Sequence, residues 1–369
     1  MLRYLSAGES HGPSLAAIVE GMPAGIEVDI DLINDILQRR QGGYGRGGRM
    51  AIENDKVEIL SGVRNGVTLG SPITLRVNNR DWENWKEIMC PYKGAKIQEK
   101  VVTKPRPGHA DLPGAIKYDQ KDMRNILERA SARETAIRTA VGGLAKSLLK
   151  KYHICSVAHV VRIGKIEVKE VDYEKLKLMG TEIYNTPVYC SNPEVSQEMI
   201  REIDNAKSQG DSIGGIFEVV VGNLPVGLGS HVHWDRRLDG RIAGALMSIQ
   251  GIKGVEIGLG FEAATLPGSK VHDEIYYSEE KSFYRKTNNA GGIEGGITNG
   301  EILRVRAAMK PIPTLYTPLK SVDFITKEPF EASIERSDTC AVPAAAVVGD
   351  AVVAWEIAKV LLEDFKGTI

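Results

Sequence analysis

Apolar residues along the chain follow two rhythms. A period near 3.6 marks helices: Leu32, Ile33, Ile36 and Leu37 between Ile30 and Arg40, with Asp29 or Asp31 placed to cap. A second such stretch runs from Leu238 to Ile249 through Ile242, Ala245 and Leu246. A longer helix is predicted from about Asp119 to Tyr152, with Met123, Ile126, Leu127, Ala130, Ile137 and Leu144 on one side, and Gly142-Gly143 as the place where it kinks or breaks. The last begins near Pro343, where proline suits a first turn, and continues to about Phe365. Its small residues (Ala344 to Ala346, Gly349, Ala351, Ala354) predict close packing against another helix. Short apolar runs at Leu15–Val19, Val57–Ile59, Ile73–Val77, Ile216–Val221 and Ile302–Met309 predict strands. Strands mixed with helices imply an α+β layered fold.

The pattern occurs twice. Residues 8–25, GESHGPSLAAIVEGMPAG, align without a gap on residues 210–227, GDSIGGIFEVVVGNLPVG. Gly8, Ser10, Gly12, Pro23 and Gly25 recur as Gly210, Ser212, Gly214, Pro225 and Gly227. A turn, an apolar extended run and a second turn are thus reused, which predicts one domain spanning 1–369 with two related halves, roughly 1–160 and 210–369. The intervening segment, about 165–209, is polar and locally helical and is expected to be a peripheral insertion.

Composition narrows the class. A 369-residue chain with 42% hydrophobic and 26% charged residues has the balance of a globular protein. No apolar run reaches the ~18 residues of a membrane span, and the opening residues lack a secretory h-region, so a cytoplasmic location is expected. Cys90, Cys155, Cys190 and Cys340 are far apart, and the histidines lack zinc spacing, so no metal site is expected.

Charge is uneven within a net of −1. Arginines gather in glycine-rich sequence at Arg39-Arg40-Gln41-Gly42-Gly43-Tyr44-Gly45-Arg46-Gly47-Gly48-Arg49. Glycines let backbone N–H groups approach an anion while guanidiniums clamp it. Such a loop suits a small polyanion; RNA binding and an idle solvated loop are the alternatives. Lys104-Pro105-Arg106-Pro107-Gly108-His109-Ala110-Asp111 is stiffened by two prolines and presents Arg106 beside His109, as an anion clamp or a surface turn. Arg129 and Arg133, four apart, are expected on one helical face with Ala130, Ser131 and Ala132 between them, either facing a flat ligand or solvated. His11 stands where the repeat has Ile213, so the turn itself does not need an imidazole. A histidine satisfied by a turn carbonyl competes with a functional one. The Gly-x-Ser-x-Gly pattern does not suit a nucleophile elbow, because a strand rather than a helix is predicted after Ser10. Downstream, Asn288–Gly296 can approach a ligand by backbone, Lys310-Pro311-Ile312-Pro313-Thr314 sets a cation at a strand end, and Arg336-Ser337-Asp338 joins a cation to a candidate base.

Taken in order, AGESHGPSL, RRQGGYGRGGRM, KPRPGHAD, RASARET, MSI-x-x-x-KGVEIG-x-GF (247–261), HDE (272–274), TNNAGGIEGGITNG, MKPIPTL and ERSD resemble the chorismate synthase family over nearly the whole chain. The resemblance implies a β-α-β sandwich with a pseudo-two-fold repeat, assembled as a homotetramer. It implies anti-1,4-elimination of phosphate and a C6 hydrogen from 5-enolpyruvylshikimate 3-phosphate, giving chorismate, with reduced FMN and no net redox change. Some members of the family also reduce their flavin with NADPH, and by the same resemblance that nucleotide is expected only as a flavin reductant, at Arg40 and Arg46. Nucleic acid and membrane are not expected partners.

By that similarity Ser10, Arg46, Arg49, Arg106, Arg133 and Arg336 hold substrate. Arg129, Ala130, Ser131, Gln250, Gly251, Gly295, Lys310 to Thr314 (including Pro311, Ile312 and Pro313) and Arg336 line the flavin. Gln250-Gly251 departs from the Asn-Ala more usual there. His109 is implied to protonate the departing phosphate, His11 the reduced flavin, and Asp338 to assist the flavin in accepting the C6 hydrogen.

Overall fold

The computed structural model describes residues 1–47, 54–169, 171–331 and 338–364. Two antiparallel sheets enclose a layer of helices. The first sheet orders its strands Arg3–Ala7, Ser14–Glu20, Ile73–Asn78, Val57–Ser61. The second orders Cys155–Ile163, Gly215–Gly222, Leu303–Met309, Ile252–Ile257, with the short Ile166–Glu167 strand outside Cys155–Ile163. Apart from that addition, the two orders are the same in space and in chain sequence. The Cys155–Ile163 strand therefore serves the second sheet although it precedes the inserted segment.

Between the sheets lie Ile30–Gln41 and Thr135–Lys150 from the first half, and Leu238–Met247 and Val342–Asp364 from the second. The two longest pack on each other, and each also packs on its own sheet. Both are apolar around most of their circumference, as helices inside a core must be, and residues 342–355 are buried throughout. Gly142 and Gly143 neither kink nor break their helix. A Cβ on Gly142 would collide with Ala351, and one on Gly143 would crowd Ile33, so glycine here sets the distance between helices. Asp29 caps the first helix, its side chain accepting from Leu32 N at 2.9 Å.

The repeat holds at the level of single bonds. Ile26 N donates to Thr68 Oγ1 at 2.9 Å, and that hydroxyl donates to the Pro23 carbonyl at 2.6 Å. Leu228 N donates to Thr298 Oγ1 at 2.9 Å, and Thr298 Oγ1 to the Pro225 carbonyl at 2.6 Å. Each pair satisfies buried polar groups at the turn that starts with an x-x-Pro-x-Gly segment, Gly21–Gly25 or Asn223–Gly227.

One predicted element divides. The helix expected from Asp119 to Tyr152 is Arg124–Ala130, a 3₁₀ turn Ala132–Glu134, and Thr135–Lys150. The break falls at Ser131, which is extended (φ −62°, ψ 142°). Tertiary bonds override the helix propensity of this alanine- and arginine-rich stretch: the Glu128 carbonyl accepts from Ser10 N at 3.0 Å, and Arg133 turns inward to Asp55 and Asn79. Arg129 and Arg133 consequently do not share a face. The inserted segment contributes the Tyr173–Met179 and Pro193–Ser208 helices, and Tyr173 and Leu176 lie over the outer face of the second sheet.

Candidate active site

The Ser131 break and the Gly8–Gly12 turn meet. Gly8 has φ 111°, and a Cβ there would strike the Ser14 carbonyl, so this turn requires glycine. Asn79 ties the turn down, its side chain donating to the Gly12 carbonyl at 2.7 Å and the Glu9 carbonyl at 3.1 Å. Ser10 is buried. His11 Nδ1 lies 2.9 Å from Glu128 Oε2 and 3.0 Å from Oε1, and its backbone N–H donates to the same carboxylate at 2.9 Å. Arg124 bonds that carboxylate from the other side at 2.8 Å. The Trp85 ring lies against His11 at 4.1 Å between centroids, and the Arg124 guanidinium lies over the same indole. Burial alone would raise the Glu128 pKa; His11 and Arg124 together hold it below the ordinary value.

His109 is held in a similar way. Its Nδ1 lies 2.5 Å from Asp111 Oδ1, and Asp111 is fully buried. Arg106 binds the same carboxylate through Nε at 2.9 Å, Nη2 at 3.1 Å and its backbone N–H at 3.1 Å. Burial works against the Asp111 charge, but these partners overcome it and depress its pKa well below the carboxylate range. The loop is docked onto the second half: Lys310 Nζ donates to the Gly108 carbonyl at 2.5 Å, and Ser321 Oγ to the Pro105 carbonyl at 2.7 Å.

Arg46 pairs with Asp338 at 2.7 Å, and the Gly47 N–H donates to the other Asp338 oxygen at 2.6 Å. The preceding loop is fixed by Thr339 N donating to the Gly45 carbonyl at 2.8 Å and by Tyr44 N donating to Pro187 at 2.7 Å. Arg133 is buried, with Nη1 on Asp55 at 2.7 Å and Nε on Asn79 at 2.9 Å. Arg40 is buried as well, committed to Thr135, Ala132 and Asp55, and burial pushes its pKa down to about 9. Arg49 and Arg336 lie outside the described residues. Arg40, Arg46, Arg106 and Arg133 each meet a carboxylate of this chain.

Most of the positions expected to line a flavin form a connected series. Arg129 donates to the Ser6 and Gly8 carbonyls and lies 4.0 Å from Glu134. Gln250 donates to Glu134 at 3.3 Å, and the adjacent Gly251 carbonyl accepts from Lys310 N at 2.9 Å. Ala130 is half-buried beside the Ser131 break, and Ser131 Oγ accepts from Arg133 N at 3.2 Å. Pro311 and Pro313 flank Ile312, whose carbonyl accepts from Ser212 Oγ at 2.6 Å; Thr314 is buried. Gln250 Oε1 is a buried acceptor with no hydrogen-bond partner among the described residues. An orphaned acceptor on a residue that shares Glu134 with Arg129, and whose neighbour Gly251 bonds the Lys310 backbone, fits a ring that presents an N–H and carries a phosphate. Gly295 stands apart from this series. It lines a cavity of about 510 Å³ with His272, Asp273, Asn289 and Glu294.

Glu128, Asp111 and Asp55 were not singled out from sequence. Asp111 was in view two positions from His109, whereas Glu128 is 117 residues from His11 and only the fold pairs them. A larger cavity of about 710 Å³, lined by Arg39, Tyr44, Tyr184 and Tyr189 among others, contains none of His11, His109 or Asp338. Among the described residues no cluster has the ligands to hold a metal ion, and no helix is long and apolar enough to cross a membrane.

The family model described as chorismate synthase matches residues 2–362. The chorismate synthase of Desulforamulus reducens is 62% identical over 367 residues, covering 100% of this chain and 95% of that protein. The chorismate synthase of Moorella thermoacetica is 62% identical over 368 residues, with the same coverage. A solved structure described as a crystal structure of chorismate synthase superposes with a TM-score of 0.80 at 47% identity, over 99% of this chain and 93% of that one.

Proposed function

The chain belongs to the chorismate synthase family, and from that premise we propose how its residues carry the reaction. As a member it is a carbon–oxygen lyase. The proposed step is anti-1,4-elimination of phosphate from 5-enolpyruvylshikimate 3-phosphate, giving chorismate. The observation that carries this reading is the pair of histidines, each fixed at Nδ1 by a buried carboxylate and each beside an arginine.

The substrate brings one phosphate and two carboxylates. Arg46, Arg106 and Arg133, with Ser10, Arg49 and Arg336, would bind them, because charge so deep is stable only when matched. His109 would pass a proton from Nε2 to the departing phosphate oxygen, beside the Arg106 guanidinium that offsets the developing charge. His11 would hold a proton at the same ring atom. Asp338, oriented by Arg46 and the Gly47 N–H, would accept a proton at a carboxylate oxygen. Reduced FMN, held along Arg129–Ser131, Gln250-Gly251, Gly295 and Lys310–Thr314, would supply transient electron density to an elimination whose C6 hydrogen is not acidic. NADPH as its reductant would find Arg46 partly exposed and Arg40 buried.

The same reading takes the chain as one domain of two related halves, roughly 1–160 and 210–369, with 165–209 as an insertion. It also takes the protein as a cytoplasmic homotetramer acting on a small molecule. The test is anaerobic: the protein, dithionite-reduced FMN and the enolpyruvyl substrate are mixed, and chorismate absorbance is followed. Product that requires reduced flavin without stoichiometric flavin oxidation supports the lyase. Stoichiometric oxidation would make it an oxidoreductase, and no product would remove the proposal.

A further inference from the structure

We infer that Glu128 and Asp111 are positioning residues that fix the tautomer of His11 and His109, so that Nε2 of each ring is the atom that exchanges a proton. The inference rests on the reading of those histidines as the proton-bearing groups.

The geometry is the same at both places. Glu128 and Asp111 are buried, at 2% and 0% exposure, and each meets a histidine Nδ1 on one side and an arginine on the other. An ionised carboxylate only accepts hydrogen bonds, so Nδ1 carries the hydrogen and Nε2 is left to take up or release one. At His109 the same guanidinium's Nη2 lies 3.2 Å from Nδ1; it cannot accept, so Asp111 remains the acceptor for an Nδ1 hydrogen. Arg124 and Arg106 anchor the carboxylates, and the Trp85 ring lies against the His11 ring.

The internal repeat supplies a control. Where His11 gives its backbone N–H to the Glu128 carboxylate, Ile213 gives its own to the Thr339 carbonyl at 2.9 Å. The turn needs only an acceptor, and a main-chain carbonyl suffices. Of these two turns, only the one with an imidazole to orient takes a buried carboxylate, which is costly to bury, as its acceptor.

The experiment uses the full chain with reduced FMN and the enolpyruvyl substrate, comparing Glu128→Gln, Glu128→Asp, Asp111→Asn and Asp111→Glu. Gln and Asn keep the shape but can donate to Nδ1, which favours the opposite tautomer. The expected result is a fall in kcat on the order of tenfold or more, with KM within about twofold and partial recovery in the acidic variants. In parallel, nitrogen-15 NMR of histidine-labelled wild-type protein should show the hydrogen on Nδ1 of both rings. Glu128→Gln should move it on His11 alone. Wild-type kcat in both amide variants would overturn the inference. So would a ring already protonated only at Nε2 in the wild type, a reading that needs no variant to fold. His11→Ala and His109→Ala separate the two claims. If those variants turn over normally the histidine assignment fails; if they are crippled while the amide variants are not, the positioning claim alone fails.

Discussion

The Gly8–Gly12 turn and the Gly210–Gly214 turn occupy equivalent places in two sheets of the same strand order, yet only the first carries a titratable ring. His11 is held by a buried carboxylate and an indole; Ile213 rests on a carbonyl and packs toward Gly164. The outer faces differ in the opposite sense. Ala7 and Ala16 pair in the first sheet, where the second sheet pairs His159 with Glu218 under Tyr173. Glu218 also takes Arg306 Nε at 2.9 Å. The architecture therefore tolerates either apolar or ionic residues at these two points, while the neighbouring Arg76–Glu58 and Arg306–Glu256 pairs recur in both sheets. What the fold demands, such as the Thr68 and Thr298 hydroxyls, is found twice. The imidazole proposed to carry a proton at this turn is found once.

That contrast can be broken at several points. The largest effect is expected from His11→Ala, which should lower kcat by roughly 10²–10⁴-fold while flavin still binds, whereas Ile213→Ala should leave kcat near wild type. Stopped-flow turnover with reduced FMN measures both, and equal rates in wild type and His11→Ala would erase the difference between the halves. Next comes acid stability. Burial would raise the Glu218 pKa, but His159, Arg306 and Arg304 bring it from 4.5 to about 2. The unfolded state then binds the extra proton, so this stabilisation is complete above about pH 4.5 and fades as the pH falls through about 2. It amounts to roughly 3 kcal/mol at about 1.4 kcal/mol per unit. Denaturant midpoints of wild type and Glu218→Gln should converge across that window; a constant gap would count against the buried charge.

A smaller loss is expected at the contact between the central helices. Gly142→Ala places a methyl against Ala351 and should cost about 1–3 kcal/mol by overpacking. The smallest effect has the opposite sign. A Cβ on Gly244, in the second half's Leu238–Met247 helix, meets nothing within 4 Å, so Gly244→Ala should stabilise by about 0.5–1 kcal/mol. Thermal unfolding of the two variants side by side gives both signs.

The fold was legible in sequence to the extent that its requirements are local. Glycines forced by positive φ, the prolines of the repeated turn and the apolar rhythm gave both sheets' inner strands and all four core helices. The Ser131 break was not legible, because Arg-Ala-Ser-Ala-Arg has good helix propensity and the bonds that interrupt it come from Ser10, Asp55 and Asn79. Cys155–Ile163 was missed for a related reason: its apolar run has no repeat partner that resembles it. At the site, the arginines and histidines stood out by type, but their carboxylate partners did not, since a pairing such as His11 with Glu128 exists only after the chain has folded.

The position of Val342–Asp364 has a consequence for synthesis. That helix fills the middle layer against Thr135–Lys150, and Asp350 bonds Lys146 at 2.5 Å across a separation of 204 residues. A ribosome-bound chain that has emerged only through Lys150 thus carries an apolar helix packed on its own sheet but lacking its Val342–Asp364 partner, and closure waits until residues near 350 leave the exit tunnel. Such a nascent intermediate is a natural client for a chaperone that shields apolar helices.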